Sequence, residues 1–158
     1  MKYITSFAVF ITFAIDQISK TLVVSYIDFN TRLHILPSFN LVHIKNSGVS
    51  FGIFSNQHQY GPYILAFVSC VIVCAIAFLA HKVNSKIQKI AYGLIIGGAL
   101  GNVWDRLTHK AVTDFLDFYI GNYHWPAFNL ADVGIVWGAG MLLVHSLFLS
   151  DEEKGSYA

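Results

Sequence analysis

Two aspartates stand where acids are scarce. Asp114 lies in Val-Thr-Asp-Phe-Leu-Asp-Phe and Asp132 in Phe-Asn-Leu-Ala-Asp, each beside a long apolar run. An ionised carboxylate at a membrane edge is costly, which makes such a residue a functional candidate. Two of them on neighbouring segments predict a carboxylate pair that shares one proton and performs acid/base chemistry. Asp117, three residues from Asp114, competes for that role, but its segment is expected to expose it to water.

Other polar residues fall at helical spacing around this pair. Asn129 and Asp132 stand i, i+3 and share one side of a helix start, where Asn129 after Pro126 also suits an N-cap. Asn102, Asp105 and Arg106, spaced i, i+3, i+4, form one polar face, fit either to orient carboxylates and substrate or merely to close a helix end. Asp16 and Lys20 are four apart, so their opposite charges can neutralise each other on one helix face, a structural pair before a chemical one. Ser19 has no base beside it, since its neighbour Lys20 points elsewhere on the helix, so a serine nucleophile is poorly supported. His109 and His124 share a connection with several aspartates, but no metal-ligand spacing accompanies them, and no metal or other cofactor is expected.

The elements that must hold these residues are membrane helices. Of 158 residues 55% are hydrophobic and 12% charged, about half the charged fraction of an ordinary soluble domain, which is ~25%. With a net charge of +1 there is no basic field to attract nucleic acid. Four stretches, 3–26, 62–80, 87–104 and 131–149, approach the roughly 20 apolar residues that a bilayer core of ~30 Å requires. No small-residue cleavage pattern follows the first, which is therefore expected to be a retained span. Lys82, Lys86 and Lys89, without an acid among them, place the connection between spans two and three in the cytoplasm, with both termini, and turn the aspartates outward. Cys70 and Cys74, inside an apolar run, read as fillers of one helix face.

Residues 32–44 alternate partially around Pro37 and predict short strands, closed by the turn signal Asn46-Ser47-Gly48. The apolar Val49, Phe51, Ile53 and Phe54 then predict a segment lying on the bilayer surface or over a site. Gly93, Gly97 and Gly101 recur every fourth position and predict a smooth groove for close helix approach.

Taken in order, Asp16-Gln17-Ile18-Ser19-Lys20, Asn46-Ser47-Gly48-Val49-Ser50-Phe51, Gly97-Gly98-Ala99-Leu100-Gly101-Asn102 with Asp105-Arg106, Val112-Thr113-Asp114-Phe115 and Phe128-Asn129-Leu130-Ala131-Asp132 resemble the motifs of the lipoprotein signal peptidases (signal peptidase II). The resemblance runs from span one to span four, and it departs at Val49 and Ser50, where that family usually carries alanines. It implies an all-α membrane protein, residues 1–158 forming a single peptidase domain, with four transmembrane helices, a small periplasmic β-sheet and a surface-lying outer segment. It also implies an aspartyl peptidase of the bacterial inner membrane, a monomer surrounded by lipid, that removes signal peptides from prolipoproteins before a diacylglyceryl-modified cysteine. Asp114 and Asp132 match the catalytic pair. Asp16, Lys20, Asn46, Asn102, Asp105, Arg106 and Asn129 match positions that support the pair or bind substrate. Two other classes fit the composition: a four-span transporter with an Asp16–Lys20 ion path, and a structural membrane subunit. Clustering of the charges at one membrane face disfavours the transporter.

Overall fold

The computed structural model describes residues 3–48 and 60–148. The predicted surface segment at Val49, Phe51, Ile53 and Phe54 lies outside the described residues. In chain order the elements are α1 (Ile4–Tyr26), β1 (Arg32–Leu36), β2 (Phe39–Asn46), α2 (Gly61–Lys82), α3 (Lys86–His109), β3 (Val112–Ile120), β4 (Tyr123–His124) and α4 (Leu130–Phe148).

Helices α1, α2 and α4 are long and apolar enough to cross a bilayer; the 23 residues of α1 extend about 34 Å at 1.5 Å per residue. The third expected span, α3, is a 24-residue helix but does not share that apolar character, because it carries Lys86, Lys89, Asp105, Arg106 and a glycine-rich middle. Its position explains the difference. Helix α3 packs against α1, α2 and α4 and buries Ala91, Gly93, Ile95, Ile96, Gly97, Gly98 and Gly101. The outer helices meanwhile expose Phe7, Phe10, Ile15, Phe67, Phe78, Trp137 and Leu147. Lipid-facing positions must be apolar, whereas helix contacts within a membrane favour small residues that let backbones approach.

The predicted glycine groove is the α1–α3 seam. A side chain at Gly97 would come within 2.7 Å of the Val9 carbonyl oxygen, and one at Gly101 would collide with the Asp16 carboxylate. The absence of a Cβ on α3 is thus what allows an acid of α1 to lie against the α3 backbone.

The strands predicted in 32–44 are present as β1 and β2, but the sheet is larger than expected. It runs β1-β2-β3-β4, all antiparallel, and its longest strand is the connection that carries Asp114. Periodicity concealed β3 because Val112 to Phe115 are buried on both faces, so apolar and polar residues do not alternate cleanly. Between β2 and β3 the pairing shifts from Ile44↔Asp114 to Leu41↔Leu116, a bulge that places two β2 residues opposite one on β3. Phe128 joins the sheet edge: its N–H donates to Leu116 O at 3.1 Å, and its carbonyl accepts from Leu116 N at 2.8 Å. That clamp brings the start of α4 to the side of β3.

Candidate active site

The polar residues converge where the C-terminal part of α1, the end of α3, the middle of the sheet and the start of α4 meet. Asn129 N-caps α4: its Oδ1 accepts from Asp132 N at 3.1 Å, and Asp132 Oδ2 accepts from Asn129 N at 3.2 Å. This is a reciprocal capping box, which satisfies helix-end amides and fixes both side chains. Because Asn129 Oδ1 is occupied, its Nδ2 is turned outward from the helix and donates to Asp114 Oδ1 at 2.7 Å. One asparagine therefore holds both aspartates.

Two further asparagines are locked the same way. Gly48 N donates to Asn46 Oδ1 at 2.9 Å, which leaves Asn46 Nδ2 to donate to Asp114 Oδ2 at 2.9 Å. Lys20 Nζ donates to Asn102 Oδ1 at 3.0 Å, and Asn102 Nδ2 donates to Asp132 Oδ1 at 2.9 Å. In each case a donor on the amide oxygen aims the NH₂ group at a carboxylate.

Beneath this layer lies an ion network. Lys20 Nζ is 2.8 Å from Asp16 Oδ2 and 3.0 Å from Asp105 Oδ2, with all three side chains buried. Its three protons are thus committed to Asp16, Asp105 and Asn102. Asp16 Oδ1 accepts from Ala131 N at 2.9 Å, which ties α1 to the first turn of α4. Gln17 Nε2 reaches Asp16 Oδ2 at 3.1 Å and Asp105 Oδ1 at 3.2 Å, and Asp105 Oδ2 accepts from Thr113 N at 3.3 Å beside Asp114. Burying charges is tolerable only when they are paired and hydrogen-bonded, as here. Arg106 Nη1 lies 3.4 Å from Asn102 O, and its Nε has no hydrogen-bond partner among the described residues.

Asp114 is buried, and that burial pushes its carboxyl from 3.8 up to about 6; the bonds from Asn46 and Asn129 oppose the rise and the charge of Asp132 adds to it. A carboxyl whose affinity for a proton is raised beside a second carboxylate is equipped to donate a proton while its partner accepts one.

All nine residues predicted for the site are present in this constellation. Asp117 requires a correction, because it is buried and not water-exposed. It accepts from Asn40 Nδ2 at 2.8 Å, contacts His124 Nδ1 at 2.8 Å and pairs with Arg32 Nε at 3.3 Å. Burial raises its pKa, but the bonds from Asn40 and His124 and the charge of Arg32 outweigh it and hold the carboxyl below the usual range. A separation of three along a strand sends Asp114 and Asp117 to opposite faces, which is why Asp117 stands apart from the pair. Sequence spacing gave no weight to Gln17 as a bridge or to Asn40 as a partner of Asp117; only their polarity within apolar surroundings signalled them. Ser19 Oγ donates to Asp16 O at 2.7 Å within its own helix, and Lys20 is fully engaged elsewhere. Among the described residues no group of three or more His, Cys, Asp or Glu side chains is placed to hold a metal ion.

The fold is shared with proteins of known structure. Two solved structures of a bacterial membrane enzyme, determined by the in meso method at 1.9 and 2.3 Å, share it with TM-scores of 0.79 and 0.76. Each is 24% identical; the first covers 91% of this chain and 92% of its own, the second 90% and 87%. The family model of signal peptidase II (SPase II) matches residues 8–148. The lipoprotein signal peptidase of Photorhabdus laumondii is 38% identical over 148 residues, covering 92% of this chain and 88% of the relative. That of Pasteurella multocida is 42% identical over 138 residues, covering 85% and 82%. The chain belongs to the signal peptidase II family, whose members are membrane aspartic proteases, hydrolases of lipoprotein processing.

Proposed function

We propose that this protein cleaves the signal peptide from prolipoproteins immediately before the diacylglyceryl-modified cysteine, with Asp114 and Asp132 as the catalytic pair. The single observation that carries the reading is the placement of Asn129, which bonds both aspartates while Asp114 is driven towards its protonated form. Asp132 takes a proton from water as the water oxygen attacks the scissile carbonyl, and Asp114 donates its proton to the carbonyl oxygen. The tetrahedral adduct then collapses, the proton held by Asp132 passes to the leaving amine, and Asp114 recovers its proton from the gem-diol. The charge of Asp132 makes ionisation of Asp114 less favourable. Asn46, Asn102 and Asn129 hold the carboxylates; Asp16, Lys20 and Asp105 hold α1, α3 and β3 around them; Arg106, with an uncommitted Nε, binds substrate.

The setting we propose is the bacterial inner membrane, with a monomer of four spans, α3 included, and a single domain over 1–158. Lys82, Lys86 and Lys89 put the α2–α3 connection and the termini in the cytoplasm and the aspartates at the periplasmic side. There the pair meets a substrate whose signal helix spans the bilayer and whose lipid occupies the outer leaflet. The test is incubation of purified protein in detergent with a lipid-modified precursor and its unmodified counterpart, scored by mass spectrometry. Cleavage directly before the modified cysteine, unchanged by chelators, is expected. Equal cleavage of the unmodified precursor, or loss under chelation restored by zinc, would overturn the assignment.

A further inference from the structure

At the end of the helix bundle opposite the carboxylates, the start of α1, the end of α2 and the start of α3 enclose a groove of about 430 Å³. Its walls are apolar, with Val9, Ala77, Ala80 and Ile96, while Lys89, His81 and the hydroxyl residues Thr5 and Ser6 supply its polar groups. Among the described residues the charge around it is of one sign. From His81 to Lys89 the sequence contains three lysines and no acid, and among the described residues none of those lysines is ion-paired.

Helix electrostatics sharpen the imbalance. A helix start carries partial positive charge and ordinarily attracts acids. Here α1 and α3 both begin at this end with no acid in the first turn and no side-chain cap, and α3 places Lys86 and Lys89 there. Two positive helix ends and unpaired lysines above an apolar trough leave an anionic group with an acyl chain as the complement.

We infer that this groove is a binding site for one anionic phospholipid, its phosphodiester held by Lys89 and one acyl chain lying along Val9, Ala77 and Ile96. The site is separate from peptide cleavage and does not depend on that assignment. Basic pockets between helices at a membrane surface recognise acidic headgroups, each nearby lysine strengthening binding about fivefold.

The full-length protein is reconstituted into phosphatidylcholine vesicles that contain traces of spin-labelled phosphatidylglycerol or spin-labelled phosphatidylcholine, and the motionally restricted fraction of each label is measured. Phosphatidylglycerol is expected to be preferred, with the preference falling about fivefold in Lys89→Gln and surviving in Lys89→Arg. Lys82→Gln makes the same change in net charge outside the groove lining, where Lys82 Nζ sits 4.2 Å from the Phe78 ring centroid, and is expected to act more weakly. Absence of a preference in the unmodified protein would overturn the inference. So would a loss in Lys82→Gln equal to that in Lys89→Gln, which would reveal a diffuse surface field without a site.

Discussion

Replacing Asp114 by asparagine is expected to abolish a specific pH dependence of stability. Asp114 is 4% exposed, and its pKa stands at about 6 in the fold against a reference of 3.8. Between those values the folded state binds a proton that the unfolded state has released, so stability falls as pH rises through this window and is level above it. A difference of about two units at 1.36 kcal/mol each gives roughly 3 kcal/mol. Asp114→Asn cannot titrate and lacks this loss. It also turns its own NH₂ group towards one of the two asparagine donors, Asn46 or Asn129, and leaving one donor unsatisfied costs about 1–3 kcal/mol at every pH. The assay is unfolding of both proteins in detergent between pH 4 and 7.5, read as the stability of the unmodified protein minus that of the variant. Carboxylates that do not interact with Asp114, Asp117 among them, cancel in the difference. The difference should decline by roughly 3 kcal/mol across the window. A flat difference, or one that rises with pH, would refute the argument that burial dominates at Asp114.

Lys20→Met leaves Asp16 and Asp105 buried without their cation and is expected to destabilise by about 3–5 kcal/mol in the same unfolding assay. Gly101→Ala drives a methyl group into the Asp16 carboxylate and should lower both stability and cleavage, whereas Gly140→Ala, which meets nothing within 4 Å among the described residues, should leave both unchanged. Asp117→Asn keeps an acceptor for Asn40 but loses the carboxylate's bonds to His124 and Arg32. It should weaken the sheet by about 1–3 kcal/mol and remain an active peptidase. Because the pKa of Asp117 is depressed, its stabilisation is present above the unfolded value and lost as pH falls through the folded one, so Asp117→Asn should flatten stability at the acid end.

Apolar length made the helices legible, and most of their ends fell close to the expected places because Lys82, Lys86 and Pro62 interrupt or begin apolar runs, whereas α3 continues five residues beyond its apolar run, to His109. Polar residues were legible as candidates because helical spacing put Asn102, Asp105 and Arg106, or Asn129 and Asp132, on shared faces. Strand β3 was not, since burial on both faces removes the alternation that marks a strand. Without β3 the opposite facing of Asp114 and Asp117 could not be derived, and Asp117 was wrongly expected to be exposed. Of the three locked asparagines only Asn129 follows a spacing rule, as the i, i+3 cap of α4; the lock of Asn102 depends on Lys20 of α1 and that of Asn46 on the amide of Gly48 in the following turn. Likewise the lower hydropathy of α3 becomes intelligible only once α3 is seen at the centre of the bundle, sheltered from lipid by its neighbours.

The central claim is that Asp114 and Asp132 act as one unit. Its most direct test is the cleavage rate of Asp114→Asn, Asp132→Asn and their double variant on a lipid-modified precursor, with Asp117→Asn alongside and folding verified for each. General acid/base participation contributes roughly 10²–10⁴ in rate, and groups acting together are not additive. Each single variant should therefore lose about that factor, the double variant should be little worse than either, and Asp117→Asn should stay active. Full activity in Asp114→Asn or Asp132→Asn, or a loss confined to Asp117→Asn, would contradict the account.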